Sequence, residues 1–352
     1  VGRKERSRFL YQLEEELLPV NDKMRFFYPE VAVSAPSDIP APAILQVHKT
    51  PEILQKIRNR LENKGLSATS LNEYFNGELG FYWRYIEGIK AREKDEAVIG
   101  HNVFGSIVHY ILEKTDEFYV GALITREVLE NQKRSALAGF DILLKQSQPD
   151  FDFEYGLNAV LKTLAKELIG KYFDKRLREF TEPFYIEALE KKFQTTVEAG
   201  GVRVKVEGTV DKIERHGDCL VVIDYKTGDV DPLKIRYAPG RTDLSLHDCL
   251  RLQDRDKFRQ LLLYKFLISE LYGKNAKYEI KFYSFRKLDS NLILEVENHT
   301  NEEIWAAVHE LIVNVATDLL DAGKPFTKEP GSKVPSYSDF ADLLEVSSKP
   351  GT

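Results

Sequence analysis

The sequence has few of the features that mark secreted or membrane-embedded proteins. Only two cysteines, Cys219 and Cys249, occur in 352 residues, which excludes a disulfide framework and indicates a reducing compartment. No apolar run reaches the roughly 18 residues that a membrane-spanning helix needs, and no secretory signal stands at the start. These absences predict a cytoplasmic protein without a membrane partner.

The chain also lacks an excess of positive charge. It contains 56 acidic and 50 basic residues, with a formal net charge of −6. This balance excludes binding of nucleic acid by bulk charge, although an enzyme with a local basic groove stays possible because steering depends on the field near the site. The first residues, VGRKERSRF, include no initiator methionine, and we expect a piece of a longer protein.

The order of the predicted elements indicates an α/β fold. Residues 1–66 read as a basic start, a short helix, a linker rich in Pro, Ala and Ser, and a charged helix with Thr50 as its N-cap. Helical patterns dominate 67–186, a β-hairpin followed by helices and strands occupies 187–322, and 323–352 is an irregular strap. Within 187–322, Asn301 is the predicted N-cap of the last helix, and 229–254 is an inserted loop without an assigned structure. We therefore predict a central mixed β-sheet flanked by helices, with an N-terminal helical extension.

One strand of the predicted hairpin ends in two opposite charges. The segment VVIDYKTG has an apolar start typical of a buried strand and then reaches Asp224 and Lys226. Residues two apart on a strand share a face, so these side chains lie on the same side. They form either a structural ion pair or part of a site.

Two further residues favour the site. Asp211, in EGTVDKIE, belongs to the strand predicted to lie beside that of Asp224, so the two carboxylates converge. His109, on a helix, supplies an imidazole, although a lone helical histidine is more often a packed residue. Two carboxylates and an imidazole suit Mg²⁺ or Mn²⁺, which can polarise a phosphodiester. Lys226 would then orient water or stabilise developing charge.

Other polar residues are placed near this set with different roles. Gln260 and Tyr264 lie four apart in FRQLLLYKF, and therefore on one helical face amid leucines. Glu113, one turn after His109, is expected to be a surface residue or a support, and Glu190 as a further acid is the less favoured interpretation. The basic residues of RDKFR, which are Arg255, Lys257 and Arg259, are candidates for phosphate contact.

The four segments GSIVH, GTVDKIE, IDYKTG and QLLLY stand in an order that resembles the RecB-like branch of the PD-(D/E)XK nuclease superfamily. The resemblance implies a restriction-endonuclease-like core in which His109, Asp211, Asp224 and the carbonyl of Tyr225 are metal ligands. It implies that Lys226 is the catalytic lysine and that Gln260 and Tyr264 support the site and contact DNA. Each motif alone is weakly specific; the four in order are much more so.

The resemblance extends to the C-terminal nuclease domain of AddB-type helicase–nucleases. It implies that 1–66 is the tail of a helicase-like region and a linker, and that 67–352 is the nuclease domain. Relatives of that type hold an iron–sulfur cluster through four cysteines, but Gly77, Ser338 and Leu344 stand at three of the matching places. We therefore predict no iron–sulfur cluster and expect the aromatic segment around Phe81 to dock on Tyr337, Phe340 and Leu343 by packing.

Three functions stay open from the sequence. The leading one is a Mg²⁺- or Mn²⁺-dependent deoxyribonuclease of exonuclease type that acts on single-stranded DNA ends with a helicase partner in recombinational repair. The second is a nuclease-fold DNA-binding module without catalytic activity. The third is a structural or assembly domain whose motif matches are accidental.

Overall fold

A computed structural model describes residues 9, 13–17, 45–89, 100–290 and 292–328. Residues 9 and 13–17, which include a π-helical turn Leu13–Leu17, belong to one compact unit. All the other described residues belong to a second unit, Ile44–Ser348. The predicted division between 1–66 and 67–352 stays a prediction. None of the helices in the described ranges is both long enough and apolar enough to cross a membrane.

The second unit alternates helical and extended segments. Its helices are α1 (Pro51–Asn63), α2 (Ala68–Asn76), α3 (Glu78–Phe81), α4 (His101–Asp116), α5 (Arg126–Ala138), α6 (Phe140–Ser147), α7 (Gly156–Glu179), α8 (Leu246–Arg251), α9 (Asp256–Tyr272) and α10 (Asn301–Leu320). Its strands are β1 (Leu45–Val47), β2 (Leu123–Ile124), β3 (Phe184–Ala199), β4 (Val202–His216), β5 (Cys219–Lys226), β6 (Arg236–Tyr237), β7 (Lys277–Ser284), β8 (Glu295–Val296) and β9 (Phe326–Lys328).

The central sheet is mixed, as predicted. It has five strands in the order β2-β3-β4-β5-β7, and only the β5–β7 pair is parallel. Strands β4 and β5 form the predicted hairpin, which turns at Gly217 with φ of +56°, a backbone conformation that glycine adopts without strain. The parallel strand β7 follows β5 only after helix α9, as a crossover connection requires.

Two apolar cores cover the two faces of this sheet. Strand β5 alternates between them: Leu220 and Val222 belong to one core, with residues of α1, α2, α9 and α10. Val221, Ile223 and Tyr225 belong to the other, with residues of α4, α5, α6 and α7. Because both faces are buried, β5 appears in the sequence as a continuous apolar run. This confirms the α/β fold of the restriction-endonuclease-like kind.

Several local predictions can now be compared with the structure. Thr50 caps α1, with Pro51 as its first residue, as predicted. The last helix was expected to have Asn301 as its N-cap, but Thr300 occupies that position and forms a capping box with Glu303. Residues 229–254, which had no assigned structure, form short helices and β6 with a buried apolar side.

The docking of the aromatic segment can be followed only in part. Tyr82 stacks on Phe326, with ring centroids 5.0 Å apart, so the segment around Phe81 contacts the beginning of the C-terminal strap. The predicted partners Tyr337, Phe340 and Leu343, and the positions Ser338 and Leu344, lie outside the described residues.

Candidate active site

The end of β5 holds a carboxylate that is buried beside a partly exposed ammonium. Asp224 is 3% exposed, and its Oδ2 lies 2.7 Å from Nζ of Lys226, whose side chain is 26% exposed. Burial raises the pKa of Asp224; the charge of Lys226 opposes that shift, and the charge of Asp211 adds to it. The net direction is upward, so this carboxylate is ionised only at a cost unless further positive charge is present.

Helix α9 contacts Asp224 through Oδ1, whereas Lys226 lies at the other carboxylate oxygen, Oδ2. The Tyr264 hydroxyl and the Gln260 amide each donate to Oδ1 of Asp224 at 2.9 Å, and Gln260 Nε2 also lies 2.7 Å from the Tyr264 hydroxyl. Helix and strand approach closely because Gly208 of β4 has no side chain. A Cβ at that position would lie 3.4 Å from the Tyr264 ring and 3.0 Å from Leu267.

The second carboxylate, Asp211, links β4 to β5 and to helix α4. Its Oδ2 accepts a hydrogen bond of 2.6 Å from the backbone N–H of Tyr225 and lies 3.4 Å from Nδ1 of His109. The other ring nitrogen of His109, Nε2, lies 2.9 Å from the Tyr225 carbonyl. Helix α4 and the two strands of the hairpin therefore meet at one point.

The orientation of His109 leaves one ring nitrogen for a cation. A carbonyl can only accept, so Nε2 carries the proton that is donated to Tyr225. Nδ1 then faces a carboxylate oxygen, a contact that is favourable only with a proton or a metal ion between the two atoms. Burial alone would lower the pKa of His109, but the hydrogen bond to Asp211 and the charges of Asp211 and Asp224 outweigh it, so the pKa is raised.

Asp224 and Tyr225 offer further oxygen donors for a divalent cation, although Asp224 lies outside the close group of ligand atoms that His109, Glu190 and Asp211 form among the described residues. Oδ2 of Asp224 is buried and forms no hydrogen bond of acceptable geometry to any described residue, despite its proximity to Lys226. The ammonium of Lys226 is the ionic partner of this oxygen among the described residues, and a divalent cation would add further positive charge to a buried carboxylate. The carbonyl of Tyr225 has two lone pairs, of which the His109 bond uses one. Hard oxygen donors and an imidazole are together suited to Mg²⁺ or Mn²⁺.

Glu190 belongs to this site, which the sequence reading did not favour. Ligand atoms of His109, Glu190 and Asp211 lie within 4.8 Å of one another. Glu190 has φ of +43°, which is uncommon and strained for a residue with a side chain. Partial burial and the charges of Asp211 and Glu113 raise its pKa to about 7. The sequence offers no signal for this position, because the strand pattern simply continues through it.

His109, Glu190 and Lys226 line a cleft of about 530 Å³, whereas Asp211 and Asp224 lie behind its lining residues. Helix α4 lines one side with polar side chains and a glycine, and the chain after β5 lines the other. The lining residues include Ser106, His109, Tyr110, Glu113, Glu190, Lys226 and Thr227. Glu113 therefore lies at the cleft, and a phosphodiester could reach Lys226 from solvent.

The prediction of phosphate contact by RDKFR is wrong for Arg259. This side chain is 2% exposed, and its guanidinium donates to the carbonyls of Leu250 and Leu252 and to Asn72. Arg255 also donates to backbone carbonyls, those of Leu233 and Arg236. Arg259 therefore fixes the 229–254 segment against the first turn of α9, beside Gln260.

The part of the chain that contains these residues matches a known protein family. The family model of the PD-(D/E)XK nuclease superfamily matches residues 65–336. The chain belongs to the PD-(D/E)XK nuclease superfamily. The match spans all the residues of the candidate site, from His109 to Tyr264. Membership implies nucleic acid as the substrate class, and nucleases of this superfamily typically use divalent metal ions, for which the chain offers the group formed by His109, Glu190 and Asp211.

Similar proteins occur in Rickettsia. An uncharacterised protein of Rickettsia typhi is 26% identical over 193 residues, which cover 53% of this chain and 21% of the relative. An uncharacterised protein of Rickettsia bellii is 26% identical over 172 residues, which cover 48% of this chain and 19% of the relative. The chain thus spans about one fifth of the length of these relatives.

Proposed function

We propose that the chain is a metal-dependent deoxyribonuclease domain that hydrolyses phosphodiester bonds. The observation that supports it most is the connected set of His109, Asp211, Asp224 and Lys226. Contacts of 3.4 Å or less join these residues into two groups, His109 with Asp211 and Asp224 with Lys226. Backbone Tyr225 connects the two groups, since it contacts both Asp211 and His109 and lies between Asp224 and Lys226.

Each residue has a role that follows from its position. His109, Asp211, Asp224 and the Tyr225 carbonyl would hold Mg²⁺ or Mn²⁺, with Glu190 as a further acid. The cation supplies positive charge that polarises a phosphodiester and favours ionisation of water. Lys226, which reaches the cleft, stabilises negative charge on the reacting phosphate. Gln260 and Tyr264 fix Asp224 in one orientation. The family resemblance implies that both contact DNA, but Tyr264 is only 6% exposed, so that role is left to the half-buried Gln260.

The finer assignment rests on the resemblance to the RecB-like and AddB-type proteins. It suggests an exonuclease-type activity on single-stranded ends, a helicase partner, a role in recombinational repair and a cytoplasmic location. The absence of an iron–sulfur cluster stays a prediction as well. The alternative, a catalytically inactive DNA-binding module, is disfavoured because both aspartates and the lysine are present.

The experiment is digestion of end-labelled DNA with Mn²⁺, Mg²⁺ or EDTA. Linear single-stranded, linear duplex and circular single-stranded substrates distinguish exonuclease from endonuclease action. We expect cleavage of the linear single strand with Mn²⁺ that Asp224→Asn abolishes. The matched control is Asp218→Asn on the exposed turn of the same hairpin, where the aspartate pairs only with Lys277 among the described residues. Binding without cleavage by the unaltered chain would refute the proposal in favour of the inactive module.

A further inference from the structure

A group of four buried charges lies on the face of the sheet that α4 and α7 cover. Asp116, Arg176, Lys212 and Glu214 are each 7% exposed or less. Lys212 Nζ lies 2.6 Å from Asp116 and 3.0 Å from Glu214, and Arg176 lies 2.6 Å from Glu214. Two acids balance two bases, so the group is formally neutral.

This charge group joins the elements that hold the site. Lys212 follows Asp211 directly on β4, and Asp116 is the last residue of α4, the helix of His109. Arg176 belongs to α7, and Gln132 of α5 donates to the second oxygen of Asp116 at 2.9 Å. One strand and three helices are therefore fixed to each other beneath the cleft.

Because Asp116 and His109 belong to the same helix, fixing Asp116 also restricts where the imidazole of His109 can lie. Asp116 follows His109 by seven residues, which is about two helical turns, so both lie on nearly the same face. A side-chain atom lies roughly 6 Å from the helix axis, and a helix rotation of about 20° would therefore move it by roughly 2 Å. Such a shift would break the contacts of His109 with Asp211 and Tyr225, which are 3.4 Å and 2.9 Å long.

We propose that Asp116 and Lys212 are positioning residues, whose ion pair sets the rotation of α4 against β4 and so holds His109 and Asp211 in metal-binding geometry. The inference rests on the proposed metal-dependent function. A buried ion pair adds little net stability over apolar residues of similar size. Its directional contacts nevertheless define one arrangement of the helix and the strand, whereas apolar packing tolerates several.

The test compares Mn²⁺ affinity by isothermal titration calorimetry with the folding midpoint of the metal-free protein. The double variant Asp116→Asn, Lys212→Met removes both charges and keeps an acceptor for Gln132. We expect its Mn²⁺ dissociation constant to rise about 10–100-fold, as for supports behind metal ligands, at a temperature where it is folded. Cleavage should lose kcat with KM for DNA unchanged.

The matched control is Lys49→Met. Lys49 is also a buried lysine, 7% exposed, but it donates to the carbonyls of Asp318 and Asp321, far along the chain from the site residues. This variant should lower the folding midpoint and leave the Mn²⁺ dissociation constant within about twofold. Equal weakening of Mn²⁺ binding in both proteins would overturn the inference, because general destabilisation would then explain it.

The test also covers a double variant that does not fold and a wild-type chain that binds no Mn²⁺. If the double variant does not fold, Gln132→Met, which removes only one contact to Asp116, should weaken Mn²⁺ binding in the same direction by a smaller factor. Unchanged affinity in whichever of these variants is folded overturns the inference while the proposed function stands. A wild-type chain that binds no Mn²⁺ overturns the proposed function and the inference together.

Discussion

Replacing Tyr264 by phenylalanine removes one hydroxyl from the site and keeps the ring that packs near Gly208. The lost group donates a 2.9 Å hydrogen bond to Oδ1 of Asp224, a carboxylate that is 3% exposed. Gln260 still donates to the same oxygen. The substitution therefore tests the support of one buried charge with little change in packing.

The expected loss depends on whether Asp224 is ionised. A hydrogen bond to a charged group contributes about 1.5–3 kcal/mol, and one between neutral groups about 0.5–1.5 kcal/mol. The variant therefore loses about one kcal/mol more from ionised than from protonated Asp224. This raises the pKa of Asp224 in the variant by about one unit, since one unit equals about 1.4 kcal/mol. Burial already raises this pKa, so folding stability falls as pH rises through the folded-state value. Tyr264→Phe extends that fall to a higher pH.

Urea unfolding of the metal-free protein between about pH 4 and pH 8.5 measures the effect. The variant should lose about 1.5–3 kcal/mol of unfolding free energy at the alkaline end and about 1 kcal/mol at the acid end. Tyr272→Phe, on the same helix, is the control, because the hydroxyl of Tyr272 contacts Lys191 and not the site; its loss should be small and independent of pH. A loss for Tyr264→Phe that does not vary with pH would refute the reasoning.

Three more predictions concern the charges of the site. Lys226→Met should lower kcat about 10²–10³-fold, in the range found for other transition-state donors, while fluorescence anisotropy in EDTA shows unchanged DNA binding; full activity would exclude Lys226 from catalysis. Asp211→Asn should leave the metal-free melting temperature unchanged or higher, because the charge of Asp211 raises the pKa of both Glu190 and Asp224. The same variant should lose the stabilisation of about 2.7 kcal/mol that Mn²⁺ gives at 100 times its dissociation constant. A lower metal-free melting temperature would instead indicate a structural role for Asp211. Because the pKa of Glu190 is about 7, protons compete with the metal ion for this carboxylate below that pH. The Mn²⁺ affinity of the wild type, measured by calorimetry, should therefore fall from pH 8 to pH 6, and that of Glu190→Gln should vary less. An equal pH dependence in both proteins would exclude Glu190 from the site.

Most of the site could be predicted from local patterns. The alternation of β5 placed Asp224 and Lys226 on one face, and their ion pair follows from that spacing. The helical spacing of Gln260 and Tyr264 placed both on one face of α9, where both donate to Asp224. These regularities depend only on the geometry of a strand or a helix, so the sequence is enough to state them.

Glu190 and Arg259 show where local patterns fail. Glu190 enters the site because β3 is irregular there, with φ of +43° at that residue, and no sequence rule predicts a strained conformation for a glutamate. Arg259 resembles a phosphate ligand in sequence but is buried and satisfied by the carbonyls of Leu250 and Leu252. Both outcomes depend on backbone segments that meet only in the folded chain.

The amino-acid sequence by itself determined the chemistry of this protein: which acids, which imidazole and which amine are available, and on which face of each strand or helix they lie. Short-range backbone geometry suffices for that. Only the tertiary structure decided how Asp211 and His109 meet across Tyr225, and which charges are buried together beneath them. Both contacts of His109, with Asp211 and with Tyr225, join residues more than 100 positions apart, and their formation depends on the packing of the whole sheet between its two cores.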